Sequence, residues 1–301
     1  MRAHHLNCTT LCPPGRRLMD GRRGAKGPAK LSCHCILLEA SHGLVLLDTG
    51  LGLRDVAQPR SRLSPVMLDV LIRPRLREED TAIRQIERLG FSGDDVRDIV
   101  LTHLDFDHAG GLDDFPHARV HLFAREELQA SAQRTWLDRQ RFRPAQWSTR
   151  PRWVTYSPSD GGEAWLGLQA VRPIPDAPYV ALIPLPGHTL GHAGIAFRDD
   201  HRGWMLLAGD AYFFHGEMDP RRYRCPPGLR LFQWLVDTRR DLRLANQACL
   251  RELVRGYSSE VTIFCSHDQT EFDVLSAYER PSEEVPPPAP RYMPEPVQPS
   301  P

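Results

Sequence analysis

Short apolar runs that stop abruptly at polar residues recur along the chain. Runs near residues 33–39 and 44–48 predict two strands. After an irregular stretch rich in Pro and Arg, Ala82, Ile83, Ile86 and Leu89 recur at helical spacing, and Gly90 ends that helix. Ile99-Val100-Leu101 predicts the next strand, followed by a strand over Arg119–Phe123 and a helix starting near Ala124. The second half repeats the theme, with apolar strands near 179–185, 193–197, 204–208 and 261–265 and a helix over 241–254. Neither half can shield a sheet alone. The alternation fits an α/β architecture of two sheets packed face to face with helices outside.

Composition changes this picture little. With 301 residues, 41% of them hydrophobic, the chain can bury a sizeable core, and we read residues 1–280 as one domain. Proline recurs through residues 281–301, as in Pro286-Pro287-Pro288, and the segment reads as a disordered or polyproline-like tail. Formal net charge is zero, so no global field favours nucleic acid or an anionic membrane. No apolar stretch approaches a membrane span, and the polar N-terminus lacks a signal-peptide core, which points to the cytoplasm. Seven cysteines, an odd number, argue for thiols over a disulfide framework. Cys33-His34-Cys35 runs into Ile36-Leu37-Leu38 as a strand would, which disfavours a structural zinc site with Cys8 and Cys12.

Candidate chemistry concentrates after the strand at 99–101. His103, Asp105, Asp107 and His108 crowd into six positions. A spacing of two puts His103 and Asp105 on one side of an extended segment, and the turn that follows swings Asp107 and His108 toward the same space. One ion cannot use all four comfortably. Two neighbouring ions can, one on His103 and Asp105 and the other on Asp107 and His108, if distant parts of the chain complete each shell. Three later strands end in a residue of ligand type: Leu182-Ile183-Pro184-Leu185 leads to His188, Leu206-Leu207-Ala208 to Asp210, and Ile263-Phe264-Cys265 to His267. Open sheets bind ligands beyond the carboxyl ends of their strands. Gly187 and Gly191 flank His188 and suit a tight loop, in which His192 reads as a hydrogen-bonding partner of a ligand.

In this order the motifs resemble those of the metallo-β-lactamase-fold hydrolases over residues 30–268. The family's His-x-His-x-Asp-His motif aligns with His103, Asp105, Asp107 and His108, its later histidine with His188, its bridging aspartate with Asp210 and its last histidine with His267. Leu47-Asp48-Thr49-Gly50 matches an early motif that supports the metal site from behind. The resemblance implies an αββα sandwich and two divalent ions, zinc foremost with manganese or iron as alternatives. It implies a metal-bridging hydroxide that attacks a carbonyl, Asp107 orienting the nucleophile and handling its proton.

One residue departs from the family: Asp105 stands where the second histidine is usual. A third carboxylate would lower the formal charge of a dinuclear cluster from plus one to zero and weaken its Lewis acidity, and we read it as a ligand. Tyr212, soon after Asp210, matches the place of a tyrosine in lactonases of this fold and is a candidate donor to the developing oxyanion. Residues 136–153, rich in Trp, Arg and Phe, read as an insertion over the cleft. The expected activity is hydrolysis of a lactone or other carboxylic ester of small-molecule size. The alternatives are a thioester hydrolase of the hydroxyacylglutathione type and an iron-dependent redox enzyme of the same fold.

Overall fold

Period-two alternation on the strands decides how the layers stack. This computed structural model describes residues 1–22, 27–148, 152–160, 163–175 and 177–277; the Pro-rich tail at 281–301 lies outside them. Six strands form the first sheet, in the order β1 (Arg2–Leu11), β2 (Leu31–Ala40), β3 (Gly43–Leu47), β4 (Val96–Val100), β5 (Arg119–Phe123), β6 (Arg152–Tyr156). A small ribbon pairs β7 (Glu163–Trp165) with β8 (Leu168–Ala170). The second sheet runs β12 (Val261–Phe264), β11 (Gly203–Leu207), β10 (Ala193–Asp199), β9 (Val180–Pro184).

Ile36 and Leu38 of β2 and Val45 and Leu47 of β3 face the second sheet, meeting Val180 and Leu182 of β9 and Met205 and Leu207 of β11 in a shared core. Their neighbours Leu37, Leu44 and Leu46 point the other way, onto Ala82, Ile86 and Ala130. Those three belong to the helices Ala82–Arg88 and Ala124–Ala132. Across the molecule, Ala181, Ile183 and Leu206 turn outward onto Leu250, Leu253 and Val254. These last three lie on one face of the helix Arg240–Tyr257. The result is helix, sheet, sheet, helix: the expected αββα sandwich.

Strand direction then gathers the loops. β3 and β4 are parallel, as are β11 and β12. β9 also runs with β11, because each is antiparallel to β10 between them. The segments leaving β3, β4, β9, β11 and β12 therefore emerge at one edge. Main-chain bonds stitch them there: the Asp48 N–H donates to the Val100 carbonyl at 3.0 Å, the Ala193 N–H to Thr102 at 2.8 Å and the Ser266 N–H to Gly209 at 3.2 Å.

Most foreseen strands and helices appear within a residue or two of their expected ends. β1 was not foreseen. His4, His5, Thr9 and Thr10 interrupt its apolar pattern, yet all four are buried. The helices Trp136–Arg141, Pro227–Val236 and Gln269–Ala277 are also additions. Among the described residues no helix is long and apolar enough to cross a membrane, and all seven cysteines are free.

Candidate metal centre

Past β4 and a bend at Thr102, the extended Asp105 takes the N-cap position of the one-turn helix Phe106–Ala109, which throws Asp107 and His108 toward His103. The seven candidates converge, every one of them buried. His188 Nε2 lies 3.1 Å from Asp105 Oδ2 and 3.1 Å from Asp210 Oδ2, while His103 Nε2 lies 3.3 Å from Asp105 Oδ2 and 3.7 Å from Asp210 Oδ2. On the other side, Asp210 Oδ1 is 3.4 Å from His108 Nε2 and 3.1 Å from His267 Nε2, with Asp107 Oδ2 3.7 Å from His267 Nε2. Four ligands about 2.1 Å from a tetrahedral ion stand about 3.4 Å apart, which these separations match. Asp210 presents one oxygen to each set, the geometry of a bridging carboxylate.

Two further observations fit ions here. His103 Nε2 and Asp210 Oδ1 are buried without a hydrogen bond, a costly condition that a cation relieves. The opposite ring nitrogens are held so that Nε2 faces inward: His108 Nδ1 bonds Asp48 Oδ2 at 2.8 Å, His267 Nδ1 donates to the Ser32 carbonyl at 2.7 Å, and His103 Nδ1 meets Thr102 Oγ1 at 2.9 Å. Burial, with His108 beside it, keeps the His103 imidazole well below its ordinary pKa. Burial pushes the Asp107 carboxyl up, against the pull of His108 and His267.

Asp48 sits behind the cluster, as its motif implied, at a φ of 55°. Its carboxylate also accepts from the Thr102 N–H and hydroxyl, at 2.8 and 2.7 Å. His192 is held outside the ligand set. Its Nδ1 donates to the Leu185 carbonyl at 3.0 Å and its Nε2 accepts the Asp210 N–H at 2.9 Å. Burial, with His188 nearby, brings its pKa down to about 3, so it stays neutral.

Glu126 was not anticipated. This fully buried carboxylate accepts from the Leu104 N–H at 2.9 Å, the Thr189 hydroxyl at 2.6 Å and the Gly191 N–H at 3.1 Å, locking the His103 loop to the His188 loop. Burial raises its pKa to about 6. Gly191 is required for this close approach, since a Cβ there would stand 2.2 Å from the Glu126 nitrogen.

The Tyr212 expectation is corrected. Its ring is buried among the residues beneath the second sheet, and its hydroxyl donates to Glu271 Oε1 at 3.0 Å, away from the cleft. Phe213 points the other way and stacks on the His267 ring, centroids 5.0 Å apart and 21° from parallel. The position over the metal centre thus carries no hydroxyl. Leu11, Leu31, Met67, Ile72, Phe232 and Val236 join Phe213 in walling the cleft. Of the 136–153 stretch, Leu137 and Arg141 reach it, whereas Trp147 and Trp153 pack against the core of the first sheet.

Arg141 is the largest surprise. An isolated antiparallel bridge between Asp105 and Phe142 sets the fully buried Arg141 against Asp105, and Arg141 Nε donates to Asp105 Oδ1 at 2.6 Å while Nη2 donates to Oδ2. Burial alone would raise the Asp105 carboxyl, but Arg141 and His103 bring it well below the carboxylate range.

An αββα sandwich with a histidine and aspartate centre at the strand ends defines a class of metalloprotein, and sequence comparison gives the family. The profile of the metallo-beta-lactamase superfamily matches residues 29–222, and the chain belongs to that superfamily. It is 39% identical over 269 residues to a probable metallo-hydrolase of Mycobacterium tuberculosis, spanning 89% of this chain and 80% of that protein. It is 27% identical over 206 residues to an N-acyl homoserine lactonase of Bacillus thuringiensis, spanning 67% of this chain and 74% of the relative. Among solved structures, an N-acyl homoserine lactone hydrolase with N-hexanoyl-L-homoserine at its catalytic metal centre shares the fold with a TM-score of 0.67 at 20% identity, over 90% of this chain and 95% of that one.

Proposed function

We propose that the protein is a metal-dependent hydrolase of a lactone or other carboxylic ester with an apolar acyl part, using two divalent ions, zinc foremost. The observation that carries this reading is the convergence of seven buried ligand-type side chains on the floor of a cleft whose walls are apolar. His103, Asp105 and His188 would hold one ion, Asp107, His108 and His267 the other, and Asp210 both. A pair of ions held there supplies an activated water at neutral pH and polarises a carbonyl.

The chain's own residues do the rest. Asp107 borders the cleft, where its carboxylate can orient the attacking water and pass its proton toward the leaving group. Phe213, stacked on His267, keeps bulk water off the centre and offers a flat surface to an acyl chain or ring. The Tyr212 hydroxyl is turned to Glu271 and away from the cleft, so it is not offered to a developing oxyanion. The thioester alternative is disfavoured by the cleft: among the described residues that line it, Arg141 is the one guanidinium or ammonium. That guanidinium is buried and gripped by both oxygens of Asp105 on the cleft floor, a poor partner for an anionic thiol conjugate.

The test is turnover by the zinc-loaded protein across acyl lactones of graded chain length, aryl and alkyl esters, and an acyl thioester. Lactone or ester hydrolysis abolished by a chelator and restored by zinc is expected. Thioester turnover alone would transfer the assignment to the alternative, and no metal-dependent turnover on any substrate would overturn it.

A further inference from the structure

Arg141 has five N–H donors, and the structure accounts for each. Nε and Nη2 grip the two oxygens of Asp105, the second Nη2 donor meets His188 Nε2 at 2.5 Å, and Nη1 donates to the His188 carbonyl at 3.2 Å and the Val236 carbonyl at 2.7 Å. The guanidinium is therefore locked in place and faces the same two ligand atoms that an ion between His103, Asp105, His188 and Asp210 would use. The other half of the centre is backed by acceptors: His108 is held by the Asp48 carboxylate and His267 by a main-chain carbonyl.

Charge and lone pairs then decide what this contact does. Asp105 brings a negative charge where a histidine brings none, and Arg141 removes it again, so carboxylate and guanidinium together are as neutral as an imidazole. A carboxylate has lone pairs enough to accept the fork of an arginine and still ligate. His188 Nε2 has only one, which the guanidinium and an ion must contest, and the two cations also repel at close range in a buried site.

We infer that Arg141 and Asp105 act as one unit in place of the usual second histidine, and that Arg141 is a positioning residue that makes the His103–Asp105–His188 half-site bind its ion more weakly than the Asp107–His108–His267 half-site. This rests on the metal-centre reading above. Metal loading is then sequential. At limiting zinc the protein holds one ion, and the second enters as Arg141 gives up His188. Asp105 and Arg141 are also interdependent: a histidine at position 105 with Arg141 retained would leave an uncompensated buried guanidinium beside a dication.

The experiment is zinc titration against a chromophoric chelator, with thermal melting as a control for folding, on wild type, R141Q, D105H and the double variant D105H/R141Q. Wild type should show two dissociation constants at least about tenfold apart, and R141Q should tighten the weaker by about tenfold. D105H should retain one ion, and the double variant should recover the second. Equal affinities in wild type, an unchanged or weakened second site in R141Q, or a D105H protein that holds two ions as firmly as the double variant would each overturn the inference. R141Q decides the matter alone should D105H fail to fold. Absence of bound zinc from every protein would overturn the reading of the metal centre along with it.

Discussion

The two halves of the metal centre share Asp210 and differ in what stands behind the remaining ligands. Behind His108 and His267 are a carboxylate and a main-chain carbonyl, acceptors that fix the ring tautomer and make each imidazole a better donor to a cation. Against Asp105 and His188 lies a guanidinium that contacts the ligand atoms themselves and draws electron density from them. His103, Asp105, His188 and Asp210 gather on one side and His108, Asp210 and His267 on the other, with Asp107 grouped beside His267 and Cys33. Residue types alone do not separate the halves; the groups that touch the ligands do.

Replacing the shared residue should erase the comparison. Asp210→Ala should lose ions from both halves and more than about 100-fold in kcat/KM, checked by metal content and lactone or ester turnover; retention of two ions would remove Asp210 from the bridge. Asp48→Asn should act on one half alone, loosening the His108 side by about 10–100-fold in zinc affinity while the other constant holds, read by the same chelator titration.

Scaffold effects have to be separated from these. His34, buried with His5 at 2.7 Å and outside the ligand set, has its pKa lowered to about 3 by burial and by Arg202. Its folded-state pKa lies below the ordinary value of 6.5, so the unfolded chain binds the extra proton first. The stability this gives is present above pH 6.5 and is lost as the pH falls toward 3. Urea unfolding should therefore show a loss of about 2 kcal/mol between pH 7 and pH 5, reduced in His34→Gln and insensitive to zinc. Tyr212→Phe should have the smallest effect. Removing one donor to the buried Glu271 should cost about 1 kcal/mol in unfolding free energy and leave kcat/KM unchanged. A large fall in kcat would return the tyrosine to the cleft.

How much of this could be read in advance follows the range of each interaction. His103, Asp105, Asp107 and His108 are close in sequence, and His188, Asp210 and His267 each end a strand, so their convergence was legible as soon as the strands were. Arg141 and Glu126 were not. Each acts on partners dozens of positions away, and nothing beside them in sequence signals burial of a charge. The choice between Tyr212 and Phe213 turned on which of two adjacent side chains points inward, and an irregular loop has no period to decide it. β1 escaped because its buried histidines find partners far along the chain, His4 in Glu39 and His5 in His34, each at 2.7 Å.

The stitches between the ligand loops have a consequence in exchange and order of assembly. The Asp48, Ala193 and Ser266 amides donate to main-chain carbonyls of neighbouring loops and not to ligand side chains, so these bonds form as the sheets close. Hydrogen exchange at these amides should be slow in zinc-free protein and little changed by zinc. The centre is then a vessel finished before it is filled, and its affinity for metal need not include the free energy of folding the loops that hold it.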